Sequence, residues 1–214
     1  MKIAIVGYKG RFGSVLLKIL EEHEIIRVDK GDDINKLIRD SELAFLSVPA
    51  SEGIKIIKNC SEKEKIVEVS SIKRPFFEFR KKIISIHPLF GPRTYTDEKF
   101  RNIVFIDDIS IDGSMDVIRE IFKGFRIIVM NSEEHDKFIS EQLVLPYILS
   151  LVAKNVSKDN NILTGSKRIL EDLKGIAESE SPIVLRETIG LNKHSMEKFR
   201  EIEKEIKYLL EVIK

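Results

Sequence analysis

The sequence contains no tryptophan, one cysteine and four histidines among its 214 residues. A single cysteine, Cys60, excludes an internal disulfide framework and is typical of a reducing compartment. The histidines are not spaced as metal ligands, so we expect no metal site. The sequence therefore points away from secreted disulfide scaffolds and from metalloenzymes.

Neither sign of charge is in excess, and no apolar stretch is long. The 36 Lys and Arg residues balance 35 Asp and Glu residues, which gives no reason to expect a nucleic acid or a membrane surface as partner. No apolar run approaches the ~18 residues that span a membrane. The first apolar segment, 3–6, begins at once and is far shorter than a secretory signal. We expect a soluble, cytoplasmic protein that binds a small molecule.

Short apolar strands alternate with amphipathic helices through residues 1–130, the predicted first domain. This alternation predicts an α/β, Rossmann-type, doubly wound parallel sheet with helices on both faces. The predicted strands are 3–6, 25–28, 43–48, 66–69, 83–86, 103–106 and 125–129. The predicted helices between them are 14–22, 34–39, 51–59 and 115–122.

The pattern changes after residue 130, and residues 131–214 show helical periodicity alone. The predicted helices are 138–156, 162–179, 183–190 and 195–213. A helical domain this small buries little surface by itself. We expect it to pack against the first domain, against a second copy of the chain, or against both.

A glycine turn follows the first predicted strand, with the sequence Gly7-Tyr8-Lys9-Gly10-Arg11-Phe12-Gly13. Gly10 and Gly13 match the second and third glycines of the dinucleotide fingerprint, while Tyr8 occupies the place of the first. Glycines allow a tight turn, a close approach of backbone N–H groups to a pyrophosphate, and close packing of the helix on the strand. The segment from Gly7 to Gly13 is therefore predicted to hold the phosphates at the start of the first helix.

Asp29 stands at the end of the second predicted strand, where the fingerprint places an acidic residue. A carboxylate there accepts hydrogen bonds from the adenosine ribose and repels a 2′-phosphate, so we expect NAD as the cofactor. Lys30 beside it and Arg11 in the turn keep NADP open as the alternative.

Three further segments lie at predicted strand ends, and ligands of such sheets bind at that edge. Val48 and Pro49, in 47–50, are predicted to line the nicotinamide side of the cofactor site. The segment 68–73 adds Ser70 as a cofactor contact, Ser71 as a catalytic candidate and Lys73 as a substrate contact.

The third segment, 86–92, contains His87 at the end of an apolar strand, followed by Pro88. Histidine is the side chain whose charge changes near neutral pH. A base that takes a proton from an alcohol while hydride leaves the same carbon needs such a group. We predict His87 as that base, and Ser71 either binds the same hydroxyl, holds the imidazole or caps a helix ahead of Lys73.

These segments together resemble the prephenate dehydrogenase family of tyrosine biosynthesis. The resemblance rests on Ser-Ser-Ile-Lys at 70–73, His-Pro-Leu-Phe-Gly-Pro at 87–92, Glu-Glu-His-Asp at 133–136 and Ser-Pro-Ile-Val-Leu-Arg at 181–186. It implies oxidative decarboxylation of prephenate to 4-hydroxyphenylpyruvate with NAD(P)⁺ as hydride acceptor. It further implies that His87 deprotonates the ring hydroxyl and that Ser71 supports that hydroxyl and the nicotinamide. His135 matches a family histidine, and it either contacts the substrate or caps the first helix of the helical domain.

The helical domain departs from the family pattern in one respect. Members of the family hold a prephenate carboxylate with an arginine there, whereas the positions that align with it hold Ile176 or His194. Arg186, with Lys193 nearby, is our candidate for that contact, since a guanidinium fork suits a carboxylate. The resemblance also implies a homodimer formed through this domain, which is short for the family.

Alternative functions stay open at this point. Arogenate dehydrogenase shares the ring chemistry and differs in substrate. A hydroxyacid or imine reductase of the same layout uses a base on the first long helix of the helical domain, where this chain offers Lys137, Glu141 and Gln142. A dinucleotide-binding sensor without turnover is the non-enzymatic alternative.

Overall fold

The computed structural model describes residues 1–158 and 162–213, which form two compact units, Met1–His135 and Asp136–Lys214. Residues 159–161 and Lys214, which belong to the predicted helical domain, lie outside the described residues. The division falls later than the predicted 130/131 boundary. It lies inside a helix, Ser132–Ile139, whereas the change of sequence pattern marks where that helix begins.

The first unit alternates strands and helices as predicted. Its strands are β1 (Lys2–Val6), β2 (Glu24–Val28), β3 (Leu43–Leu46), β4 (Ile66–Glu68), β5 (Ile84–Pro88), β6 (Asn102–Ile106) and β7 (Arg126–Met130). Its helices are α1 (Arg11–Ile19), α2 (Ile34–Arg39), α3 (Ala50–Asn59) and α4 (Met115–Ile121), and α5 (Ser132–Ile139) continues into the second unit. Short 3-10 helices cover Lys63–Lys65, Arg74–Phe79 and Glu98–Phe100.

Within the described residues, the strands form one seven-stranded sheet in the order β2-β1-β3-β4-β5-β6-β7. Strands β1 to β5 are all parallel, so their carboxyl ends meet at one edge. The chain order reverses at β1, which lies between β2 and β3. In open α/β sheets, the crevice at such a reversal is where ligands bind.

The predicted parallel sheet is confirmed for β1 to β5, and one pairing beyond them departs from it. Strand β6 runs antiparallel to β5, with His87 opposite Val104, and β7 follows β6 in parallel. A parallel return needs a crossover, usually a helix, whereas residues 89–101 hold one short 3-10 helix, Glu98–Phe100. The chain therefore turns back and pairs in the opposite direction.

Both faces of the central strands are buried, as the doubly wound fold requires. Alternate residues of β1 enter different cores: Ile3 and Ile5 pack with α1 and α4, while Ala4 and Val6 pack with α2 and α3. This two-sided burial fixes the strand register, because a slip by one residue would exchange the two faces.

The second unit is helical throughout its described residues. After α5 come a π-helix, Ser140–Val144, and the helices α6 (Leu145–Val156), α7 (Gly165–Ser179), α8 (Pro182–Leu191) and α9 (Ser195–Val212). Its buried core is small and centres on Tyr147, Ala177 and Leu185. In the part of the chain that the structure describes, every helix is too short or too polar to cross a bilayer.

Candidate dinucleotide and catalytic site

The glycine turn between β1 and α1 is a cradle that larger residues would fill. Gly7 has a positive φ of 81°, and a Cβ there would lie 2.4 Å from the carbonyl oxygen of Ser47. A Cβ on Gly13 would lie 2.2 Å from the carbonyl oxygen of Gly7. These two glycines therefore meet the needs that the fingerprint assigns to its glycines, a tight turn and close packing of helix on strand.

The N-terminus of α1 opens onto this turn. Gly10 is the N-cap and offers no side chain to the free backbone N–H groups, and the first helical turn contains no acidic residue. Arg11 begins the helix instead, and it is exposed. The helix dipole and these N–H groups favour an anion, so the turn fits the pyrophosphate of a dinucleotide.

Asp29 directly follows β2, beside the turn. Its carboxylate accepts a hydrogen bond from the backbone N–H of Lys30 at 2.8 Å and pairs with the Lys9 ammonium at 3.1 Å. Both contacts lower the pKa of Asp29, the backbone hydrogen bond most. The carboxylate is therefore ionised at neutral pH and carries the charge on which the choice between NAD and NADP depends.

The other predicted cofactor contacts lie at the same carboxyl edge. Val48 and Pro49 follow β3 and are half-buried, and Ser70 follows β4 and is half-buried as well. Phe12 of the turn stacks at a tilt on Phe90, with 5.8 Å between ring centres. This contact links the turn to the segment that follows β5.

His87 lies near the end of β5 and faces a second histidine. Its Nδ1 lies 2.9 Å from Nε2 of His135 on α5, and the two rings meet edge to face. Both side chains are buried, His135 completely. Within residues 1–158 and 162–213, the Nε2 atom of His87 makes no hydrogen bond, so it faces no competing protein partner.

Burial keeps this histidine pair uncharged. Desolvation lowers the pKa of His87 well below its ordinary value of 6.5, and His135 and the Lys73 ammonium lower it further. The same two causes, desolvation and Lys73, lower the pKa of His135 to about 2. Both imidazoles are neutral at physiological pH, so one of the two facing nitrogens carries the hydrogen and the other accepts it.

A buried ion pair contacts the backbone next to His87. The Lys73 ammonium contacts a Glu68 carboxylate oxygen at 2.6 Å and donates to the Ile86 carbonyl at 2.7 Å. Lys73 is fully buried, and its predicted contact with substrate stays a prediction. Ser71, between Glu68 and Lys73 in the chain, is half-buried at the same edge.

This chain is similar to known proteins in its fold and not in a recognisable sequence match. No protein-family model matches the sequence, and no curated protein matches it. The fold is similar to that of solved prephenate dehydrogenases. The A. aeolicus enzyme, solved with hydroxyphenyl propionate and NAD⁺, gives a TM-score of 0.74 at 18% identity, over 100% of this chain and 90% of that one.

Other solved dehydrogenases and reductases share the fold. Synechocystis arogenate dehydrogenase gives a TM-score of 0.63 at 18% identity, over 100% of this chain and 92% of that one. An imine reductase from Bacillus cereus gives 0.52 at 13% identity, over 83% and 74% of the two chains. At identities this low, the structural similarity establishes the fold alone. It confirms the predicted Rossmann-type class with its helical second part.

The predicted carboxylate contact lies in the second unit. Arg186 is exposed on α8, whereas Ile176, one of the positions aligned with the family's arginine, packs in the helical core. His194, the other such position, lies 3.8 Å from Glu197. Arg186 therefore keeps a guanidinium in solvent, while the position of Ile176 is apolar.

Two residues that matter to the site were not singled out from the sequence. Glu68 ends the apolar strand β4, and Ser85 lies within β5; both are buried. A carboxylate inside an apolar strand, five residues before a lysine, is the signal that could have indicated Glu68.

Among the described residues, no three His, Cys, Asp or Glu side chains converge as metal ligands.

Proposed function

We propose that this protein is a dehydrogenase that converts prephenate to 4-hydroxyphenylpyruvate by oxidative decarboxylation, with NAD as its cofactor. The observation that carries the proposal is the neutral, buried His87. It lies at the same sheet edge as the glycine cradle, with Nδ1 held by His135 and Nε2 left for a substrate hydroxyl.

The residues at the cradle suit a dinucleotide. Backbone N–H groups from Gly7 to Gly13 and the α1 N-terminus would hold the pyrophosphate, and the ionised Asp29 would accept hydrogen bonds from the ribose. Val48, Pro49 and Ser70 lie where the nicotinamide half would extend. When bound, the nicotinamide supplies the acceptor for hydride. NADP is the alternative, because Lys9 pairs with Asp29 and could hold a 2′-phosphate in its place.

His87 acts as the general base in this proposal. For Nε2 to take a proton, Nδ1 must carry the hydrogen and donate it to Nε2 of His135. His135 thereby sets the tautomer of His87 that leaves Nε2 able to take the hydroxyl proton. Substrate carbon then loses hydride, and the ring carboxylate departs as CO₂, so the product is aromatic. Ser71 would bind the same hydroxyl, and Arg186 would hold a substrate carboxylate.

An absorbance assay at 340 nm tests the proposal. We expect cofactor reduction with prephenate and NAD⁺, and slower reduction with NADP⁺, because the Asp29 carboxylate repels a 2′-phosphate. Arogenate with each cofactor forms the comparison arms. Faster turnover of arogenate would change the assigned substrate, and no reduction in any of the four combinations would refute the assignment as an enzyme of this class.

We further propose that the protein forms a homodimer through its helical unit. Apolar side chains of α9 and of its C-cap recur at helical spacing and are exposed: Ile206 (51%), Leu209 (48%), Leu210 (58%) and Ile213 (80%). Such a stripe on a soluble protein is typical of an interface. Light scattering should give twice the 24.7 kDa chain mass.

A substitution within the stripe should weaken this dimer. Leu210→Glu would bury an unpaired carboxylate at the interface, so we expect the dissociation constant to rise by about tenfold or more. Lys204→Glu, on the opposite side of α9, is the control and should leave the association unchanged. A monomeric wild-type protein, or equal effects of the two variants, would contradict the proposed interface.

A cytoplasmic location is proposed as well. The support is Cys60, which is buried and carries a free thiol. A chain with one reduced cysteine suits a reducing compartment.

A further inference from the structure

The ion pair between Glu68 and Lys73 is buried more deeply than a folding role explains. Its side chains are 1% and 0% exposed, and the charged atoms lie 2.6 Å apart. Removing two charges from water costs several kcal/mol per ion, and apolar residues of the same volume often stabilise a fold as well or better. A pair retained in this environment therefore calls for a reason other than stability.

Glu68 connects the segment that follows β4 with the neighbouring strand β5. One carboxylate oxygen accepts from the hydroxyl of Ser85 on β5, as well as from the Lys73 ammonium. The other accepts from the backbone N–H of Ser70 at 2.9 Å. Ser70 immediately precedes Ser71, so this hydrogen bond fixes the backbone that presents the proposed hydroxyl ligand.

Lys73 fixes the backbone next to the proposed base, His87. Its ammonium donates to the carbonyl of Ile86 at 2.7 Å, and Ile86 immediately precedes His87 on β5. A single ion pair thus ties together the backbone beside both proposed catalytic residues, which are separated by 16 positions in the chain (87 − 71).

The pair also sets the charge environment of His87. The titratable groups that act on His87 are His135 from α5 and Lys73 from the segment after β4, with Glu68 behind Lys73. Its partner across β6, Val104, is apolar. The ammonium therefore acts on the histidine pair through a buried medium of low dielectric, in which charges are weakly screened.

We propose that Glu68 and Lys73 are positioning residues for the dehydrogenase reaction. They hold Ser71 and His87 in a fixed relation through the backbone, and they place a cation beside the two histidines that opposes their protonation before substrate arrives. This inference rests on the proposed function for its kinetic consequences, whereas its electrostatic consequence can be measured without turnover.

Lys73→Met tests the proposal, and Lys65→Met is its matched control. Lys65 likewise donates to two backbone carbonyls of the first unit, those of Arg39 and Ser41, but it is not among the groups that act on the histidines. We expect Lys73→Met to lower kcat about 10- to 100-fold through misplacement of the base. The double variant Glu68→Gln/Lys73→Met removes both charges and guards against a misfolded single variant.

Two readouts separate positioning from a merely structural role. In ¹⁵N NMR titrations of the histidine rings, the pKa of His87 and of His135 should rise in both Lys73 variants, because the neighbouring cation is gone. The acid limb of the kcat/KM profile should move to higher pH with them, since a base that binds protons more readily is lost earlier as pH falls.

The outcomes are distinct. Higher histidine pKa values together with reduced kcat support the proposal, and the same pKa change in a protein that lacks turnover would support the electrostatic part while the enzymatic assignment fails. Histidine titrations and kcat that match those of Lys65→Met would overturn it. So would a double variant that is less stable than the wild type but unchanged in its pH profile.

Discussion

Replacing His87 with asparagine should lower kcat by about 10²- to 10⁴-fold, the range that a positioned general base contributes. Asparagine keeps a polar side chain of similar reach towards His135 but offers no nitrogen that can take a proton. Dinucleotide affinity should stay close to that of the wild type, because the cradle lies on β1 and α1. Turnover is measured at 340 nm, and cofactor binding by calorimetry.

His23→Asn provides the control, since it removes an imidazole just before the amino end of β2, whereas the site lies at the carboxyl ends of the strands. A pH series adds a second check on the wild type. Because the pKa of His87 lies well below 6.5, activity should persist as pH falls through the range in which an ordinary histidine becomes charged. Near-normal turnover by His87→Asn would show that another group is the base.

Gly7→Ala should weaken dinucleotide binding. Its added Cβ would lie 2.4 Å from the Ser47 carbonyl oxygen and 2.9 Å from a Val48 methyl, at a φ of 81° that residues with side chains rarely adopt. The turn must therefore open, and the backbone N–H groups lose their convergence on the pyrophosphate. We expect the dissociation constant to rise at least about tenfold, or ~1.4 kcal/mol, in calorimetry.

Gly113→Ala is a control that separates the backbone strain of a positive φ from the steric clash of an added Cβ. Gly113 has nearly the same φ, 79°, but its Cβ would meet no atom within 4 Å. Urea denaturation of this variant reports the conformational cost, about 1–2 kcal/mol, without a clash. Gly7→Ala should lose more stability than that. Equal losses in the two variants, with cofactor binding retained, would rule out the cradle as the binding site.

Local signals account for what the sequence predicted well. A few adjacent residues are enough to predict each of three features: the strand that ends before Gly7, the turn up to Gly13, and the apolar strand that ends near His87. The direction of β6 is not, because it depends on how residues 89–101 return to the sheet rather than on the strand itself. Its apolar pattern suits either direction.

The contacts within the site are long-range in sequence and could not be predicted from it. His135 meets His87 across 48 positions, and Lys73 reaches the Ile86 carbonyl across 13. Periodicity predicts which face of an element is buried, but not which polar groups meet there. The contacts of the Lys73 ammonium with Glu68 and with the Ile86 carbonyl could therefore not be predicted from the sequence.

The buried pair of Glu68 and Lys73 has a consequence for how this sequence can change over time. Neither residue can be exchanged alone without leaving a solitary charge in the interior, which is strongly destabilising. Substitutions at the two positions should therefore occur together in descendants of this sequence, as an acid and a base or as two uncharged residues. The two positions, five residues apart in the chain, would then change as a coupled pair and not independently.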